Sequence, residues 1–124
     1  DRGQLGINSG TTSITKPTIL PIEDALLVRC GGNRSFVMDQ SRVVWGAGEN
    51  SHFTINPDSG EIKIEKFIRI TYVDEIDVMD ISCGRRSTAF LDVNGDIYTI
   101  GKNERAQCGA ESDGEYLKEI RKVQ

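Results

Sequence analysis

Short apolar strands in glycine-punctuated pairs, a plan that recurs after about fifty residues, and helix signals only at the C-terminal end predict an all-β chain. Four short strands per unit of that period is the pattern of a β-propeller blade. The predicted architecture is therefore a partial propeller, about two blades of four-stranded antiparallel sheet plus edges. At 124 residues the chain has the length of one domain. The expected organisation is residues 1–124 within one propeller domain, with approximate repeats at 3–50 and 51–105 and the start of a further repeat at 106–124.

The repeat is visible when "VRCGGNRSFVMDQSRVVWGAGEN" from Val28 is set beside "ISCGRRSTAFLDVNGDIYTIGKNE" from Ile81. Each has an apolar entry, Cys-Gly, a few polar residues, an apolar strand, a polar turn and a second apolar strand. Cys30 and Cys83 lie 53 positions apart, whereas Gly46 and Gly101 lie 55 apart, which predicts a turn two residues longer at "DVNGD". A third element repeats as "GQLG" at 3–6, an eroded "SHFT" at 51–54 and "AQCG" at 106–109.

Within each unit, "SFVMD" and "RVVWG" flank a polar pair, and "TAFLD" and "DIYTI" flank "VNG", whose Asn94-Gly95 is a strong hairpin signal. "EIKIEKFIRITYV" alternates apolar and charged residues in the manner of half-buried strands. "ESDGEYLKEIRKV" is expected to form about two helical turns. Cys30 and Cys83 close apolar segments and are expected to pack as small buried hydrophobes. Gly31 and Gly32 are expected to make the turn that follows.

Composition excludes several classes. A net charge of −4 gives no general pull toward nucleic acid or anionic lipid. Arg85 and Arg86, like Lys118, Arg121 and Lys122, sit close to carboxylates and read as solvated faces. No apolar run reaches the roughly 20 residues of a membrane-spanning helix. Three cysteines without a C-x-x-C pair fit neither a disulfide framework nor a zinc cage and point to an intracellular protein, cytoplasmic or nuclear. His52 is the one histidine, and no spacing pairs a nucleophile with a base. "WGAGEN" lacks the following helix of a phosphate loop, and "DVNGD" lacks the downstream Glu of a calcium loop. No catalytic residue, metal or cofactor is expected.

"GQLG", "CGGNRS", "VVWG", "CGRRSTAFL" and "NGDIYTIGKNERAQCG" together resemble the repeats of the regulator of chromosome condensation family. Those units read approximately Cys-Gly-x-x-His-Ser/Thr-x-x-Leu, then x-Gly-x-Val-Tyr-x-Trp-Gly-x-Asn, then x-x-Gly-Gln-Leu-Gly. The resemblance covers nearly the whole chain as two divergent repeats. Arg34 and Ser87 stand where the family has histidine. Trp45 is matched to the family's tryptophan, with Ile100 replacing it in the second repeat, and is expected to pack between blades. The resemblance implies a seven-bladed propeller. Two blades cannot close such a ring, so the chain is expected to be an excised portion of a longer propeller or one chain of an assembled one.

The expected function is a non-catalytic protein-protein interaction module, a scaffold or partner-recognition domain. The resemblance also implies an alternative, guanine-nucleotide exchange on a Ran-type small GTPase, and a small standalone β protein is a third reading. The single Trp45 fits poorly with the family's ultraviolet photoreceptors, and unpaired cysteines fit poorly with its secreted bacterial members. The expected partner is a protein, a small GTPase or the rest of the chain's own propeller, rather than a membrane or nucleic acid. The acidic run "VDEIDVMD" makes Asp74, Glu75, Asp77 and Asp80 the candidate partner-binding residues. Gly6, Cys30, Gly31, Trp45, Gly46, Cys83, Gly84, Gly95, Gly101 and Gly109 are the candidate structural positions.

Overall fold

In a computed structural model, which describes residues 2–7, 10, 13–111 and 114–123, eight strands form two sheets. The first comprises β1 (Ala25–Gly31), β2 (Arg34–Asp39), β3 (Val44–Glu49) and β4 (Lys63–Arg69). A 3-10 turn at Thr71–Val73 leads to β5 (Val78–Cys83), β6 (Ser87–Asp92), β7 (Ile97–Lys102) and β8 (Tyr116–Lys122). Both sheets are antiparallel meanders, in the orders β1-β2-β3-β4 and β5-β6-β7-β8. The architecture is two blades of a β-propeller.

The two central hairpins match position for position at a spacing of 53. Arg34 pairs with Gly48 across β2 and β3, and Ser87 pairs with Gly101 across β6 and β7. The turns have equal length, because each is organised by one aspartate. Asp39 Oδ1 accepts the Ser41 and Val43 amides at 2.9 and 3.1 Å, and Asp92 Oδ1 accepts those of Asn94 and Asp96 at 2.9 and 2.8 Å. The longer turn expected at "DVNGD" is thus corrected. Gly46 is not the counterpart of Gly101; Gly48 is, and the φ angle is +117° at both. A Cβ there would crowd the Asn33 carbonyl in the first blade and the Arg86 carbonyl in the second, so glycine is required twice at one place. Trp45 consequently corresponds to Tyr98, and Ala47, not Trp45, fills the family's tryptophan position.

The third motif shifts in the same way. Phe53, with φ of +60°, and Ala106, with +55°, occupy equivalent turns, so "FTIN" at 53–56, rather than "SHFT", answers "AQCG". Asn50 and Asn103 head these loops. Asn50 Oδ1 accepts the Ile55 and Asn56 amides, and Asn103 Oδ1 accepts that of Cys108. The resulting burial of Ile55 and Cys108 plugs the end of each blade.

At the C-terminal end, the helix expected in "ESDGEYLKEIRKV" is replaced by β8. Its backbone groups pair with the open edge of β7, from Tyr98↔Lys122 to Lys102↔Tyr116. Two helical turns are marginal in water, and a strand edge that needs partners overrides their propensity.

Burial also departs from expectation at the cysteines. Cys30 is exposed and Cys83 half-buried, while Cys108 is buried. β1 is an edge strand whose outward side chains, Leu26, Val28 and Cys30 among them, have no layer over them. An apolar run therefore ends at Cys30 without enclosing it.

One hydrophobic core serves both blades. Phe36, Met38, Val44 and Ile70 from the first are continuous with Val78, Ile81, Phe90 and Ile100 from the second. The Phe36 and Phe90 rings meet edge to face at 6.1 Å and 87°, and Tyr72 meets Phe90 at 5.9 Å and 79°. Phe90 is thus the shared contact of both aromatic pairs. Phe90→Ala is expected to cost about 3–5 kcal/mol of unfolding free energy by denaturant titration, with the transitions of both blades moving together.

Candidate functional site

The blades meet most closely where the β1–β2 turn lies against the β5–β6 turn. A Cβ on Gly31 would collide with the backbone of Cys83, and one on Gly32 would stand 2.8 Å from the Arg85 carbonyl oxygen. Gly31 therefore ends β1 in close contact with the second blade, and the turn itself is Gly32-Asn33, which corrects the expected Gly31-Gly32 turn.

From this junction Arg34 reaches across. Its guanidinium donates to Thr54 Oγ1 at 2.6 Å, to Thr88 Oγ1 at 3.2 Å, and to the carbonyl oxygens of Gly84 and Ser87, the latter at 3.3 Å. Arg34 is 2% exposed, and among the described residues no carboxylate pairs with it. Its charge is compensated by neutral oxygens, three of them on the second blade. Burial lowers the Arg34 pKa, with Cys83, Tyr72 and Glu49 opposing that shift. Burial pushes the Cys83 thiol up to about 11 and raises Tyr72 further, so both stay neutral beside the cation. Tyr72 completes the network by donating to the Thr54 carbonyl oxygen at 2.5 Å.

Above Arg34 opens a polar cleft of about 650 Å³, bounded by Asn33, Glu49, Ser51 and His52 of the first blade, Arg85 and Arg86 of the second, and Arg2. Glu49 accepts hydrogen bonds from Ser51 at 2.5 Å and Asn33 at 2.8 Å, which hold its pKa below the usual range. His52 Nδ1 lies 4.0 Å from Glu49. Burial nevertheless lowers the His52 pKa, aided by the positive charges of Arg34, Arg86 and Lys102. The loop is braced from beyond the cleft: Phe53 packs edge to face on Tyr116 at 5.4 Å, and Lys118 Nζ lies 4.3 Å from the Phe53 ring centre.

The acidic run lies elsewhere, on the connection between the blades and the start of β5. Asp74 pairs with Arg69 at 3.1 Å and Asp80 with Arg29 at 3.0 Å. Glu75 and Asp77 are exposed, and their carboxylates form no hydrogen bond or ion pair with the other described residues. The run is therefore half neutralised. The other structural positions scatter through both blades. Gly6 abuts the Phe67 ring, Gly46 the Ile70 side chain and Gly109 that of Val123, while Gly95 ends the Asp92 turn. Trp45 lines a groove of the first blade with Ile7, Pro21 and Phe67, not a blade interface, and donates to Asp39 Oδ2 at 3.2 Å. Gly84 supplies a carbonyl to Arg34.

Two features escaped the sequence. In the sequence Arg34 stands out only as a departure from histidine, and Arg85 and Arg86 read as a solvated face. In the fold no carboxylate of the described residues bonds either of the latter, because the carboxylates near them in sequence sit on other edges. Among the described residues, no three His, Cys, Asp or Glu side chains gather to hold a metal ion. No helix there is long and apolar enough to cross a membrane.

No protein-family model matches the chain. Along its whole length it is 23% identical to protein RCC2 of Mus musculus, of which it covers 24%. Across 89% of its length it is 26% identical to the X-linked retinitis pigmentosa GTPase regulator of Canis lupus familiaris, of which it covers 11%. The crystal structure of Prp20p from Saccharomyces cerevisiae matches 98% of this chain and 32% of that one with a TM-score of 0.76 at 14% identity. The chain carries repeats of the regulator of chromosome condensation type. It spans about a quarter of the RCC2 proteins it matches. In these repeats the Cys-Gly turn is the blade-to-blade junction, and Arg34 is the first repeat's substitute for histidine there.

Arg34→Met is expected to cost about 3 kcal/mol in denaturant titration, because it strands two carbonyls and leaves two buried threonines unpartnered. Arg34→Lys should recover only part of that, since an ammonium has three donors for four oxygens. A second expectation concerns pH. The folded His52 pKa is depressed, so the unfolded chain binds the proton more readily. Stability should be complete above about pH 6.5 and fall as pH drops through the folded His52 pKa. Thermal melts between pH 7 and 5 should show that loss, and His52→Gln should remove it.

Proposed function

We propose that the chain is part of one β-propeller domain, residues 1–124 included, that regulates other proteins by binding them and performs no covalent chemistry. The observation that carries this reading is the Arg34 junction. A buried guanidinium and two buried threonines fix one blade against the next, while charged loop residues are left at the rim. Loops held on a rigid scaffold are where recognition normally resides. The printed names of the relatives support a regulatory role: one is a GTPase regulator, and Prp20p is described by its binding properties to Gsp1p and histones. Glu75 and Asp77, with Asp74 and Asp80 behind them, are proposed as contacts for basic groups of a partner. The three unpaired thiols fit an intracellular, cytoplasmic or nuclear setting.

Those same names favour a second reading, nucleotide exchange on a Ran-type GTPase. The two readings separate in one assay. Full-length protein at a small fraction of the GTPase concentration should leave release of labelled GDP at its intrinsic rate. Catalytic acceleration would replace the binding-only reading with the exchange one.

A further inference from the structure

We propose that the cleft between the blades is a docking site for an acidic peptide segment of a partner protein, with Arg85 and Arg86 taking its carboxylates. This deepens the interaction-module reading and rests on it.

The cleft carries three guanidinium groups, on Arg2, Arg85 and Arg86, against one carboxylate, in a chain whose net charge is −4. The carboxylate is already engaged: both Glu49 oxygens accept hydrogen bonds, from Ser51 and Asn33. No hydrogen bond or ion pair joins the Arg85 or Arg86 guanidinium to another described residue. Three other arginines of the described surface are tied down by groups from other strands or the blade connection. Arg29 is held by Asp80, Arg69 by Asp74, and Arg42 by the Val78 carbonyl. Arg85 and Arg86 stand side by side in one turn with no such partner among the described residues.

That turn is also held still. Its backbone is fixed by the Gly84 amide on the Ser87 carbonyl at 2.9 Å, by the Lys102 amide on the Arg86 carbonyl at 2.9 Å, and by the Arg34 guanidinium on the Gly84 and Ser87 carbonyls. The cations therefore project from a preorganised base, and little ordering entropy is lost when a ligand binds. Planar guanidinium groups match carboxylates bidentately, and Ser51 and His52 add neutral polar atoms at the opposite wall. The net charge of −4 disfavours non-specific binding of anions elsewhere on the chain. A peptide rich in Asp and Glu fits this lining; an apolar helix does not.

The test uses full-length protein and fluorescent peptides of equal length that are Glu/Asp-rich, neutral or Lys-rich. The acidic peptide should bind, weakening as salt rises, and the other two should not. Arg85→Ala with Arg86→Ala should reduce its affinity by about tenfold or more, and Arg105→Ala, at an exposed arginine outside the cleft, should not. His52 is an internal reporter, faced by Glu49, Arg34, Arg86, Lys102 and the Tyr116 ring. Its ring resonances, assigned with His52→Gln, should titrate at higher pH when the acidic peptide is bound, and the double variant should lose that shift. Equal binding of neutral and acidic peptides, or an unchanged affinity in the double variant, would overturn the proposal. So would inorganic pyrophosphate binding that the acidic peptide cannot displace, which would assign the cleft to phosphate. No binding by any probe would remove this cleft while leaving the interaction module standing, since partner complexes formed through other loops would persist. Failure of such complexes as well would remove both.

Discussion

The arrangement of the two blades depends on a positive charge buried without a carboxylate. A guanidinium enclosed at the Arg34 position is tolerable only if its donors all find oxygens at once. Those oxygens come from the second blade and from the loop between β3 and β4 of the first. The desolvation penalty thus acts as a geometric condition: displace either blade and the charge loses partners. Glycine at 31 and 32 lets the backbones approach closely enough for the condition to be met. The cleft, the Glu49 and His52 wall and the Arg85–Arg86 turn all inherit their positions from that junction.

Much of the fold was legible because it is written in local chemistry. Alternation in "EIKIEKF" points to β4, and the apolar runs that close on Cys30 and Cys83 point to β1 and β5. The errors came from choosing glycine as the landmark. Gly46 and Gly101 invite alignment by identity, yet the residues that set the register are Asp39 and Asp92, each of which closes its turn through one carboxylate oxygen. Aligning on the aspartates makes every hairpin position agree at a spacing of 53. Trp45 then falls where the family has tyrosine.

The remaining discrepancies have a common cause in edges and in long-range charge. Sequence shows that "ALLVRC" is apolar but not that β1 lies at a sheet edge, so Cys30 was placed inside. It shows that "YLKEIRK" can form a helix but not that β7 leaves a strand edge to be paired. Charges behave likewise: Asp74 and Asp80 look like an open acidic patch until Arg69 and Arg29 arrive from other strands. Arg85 and Arg86 look paired until their neighbours in sequence turn away.

The brace formed by Phe53, Tyr116 and Lys118 has a bearing on shape. The Arg34 junction ties the blades where β1 approaches β5, and the Phe53 loop ties the first blade to β8, the far strand of the second. Two attachments at different distances along a blade fix an angle as well as a distance, as two hinges set apart prevent a door from twisting. The angle between these two blades is thereby specified within the pair itself. A toroid assembled from such pairs has its number of sectors determined locally, before its ends ever meet.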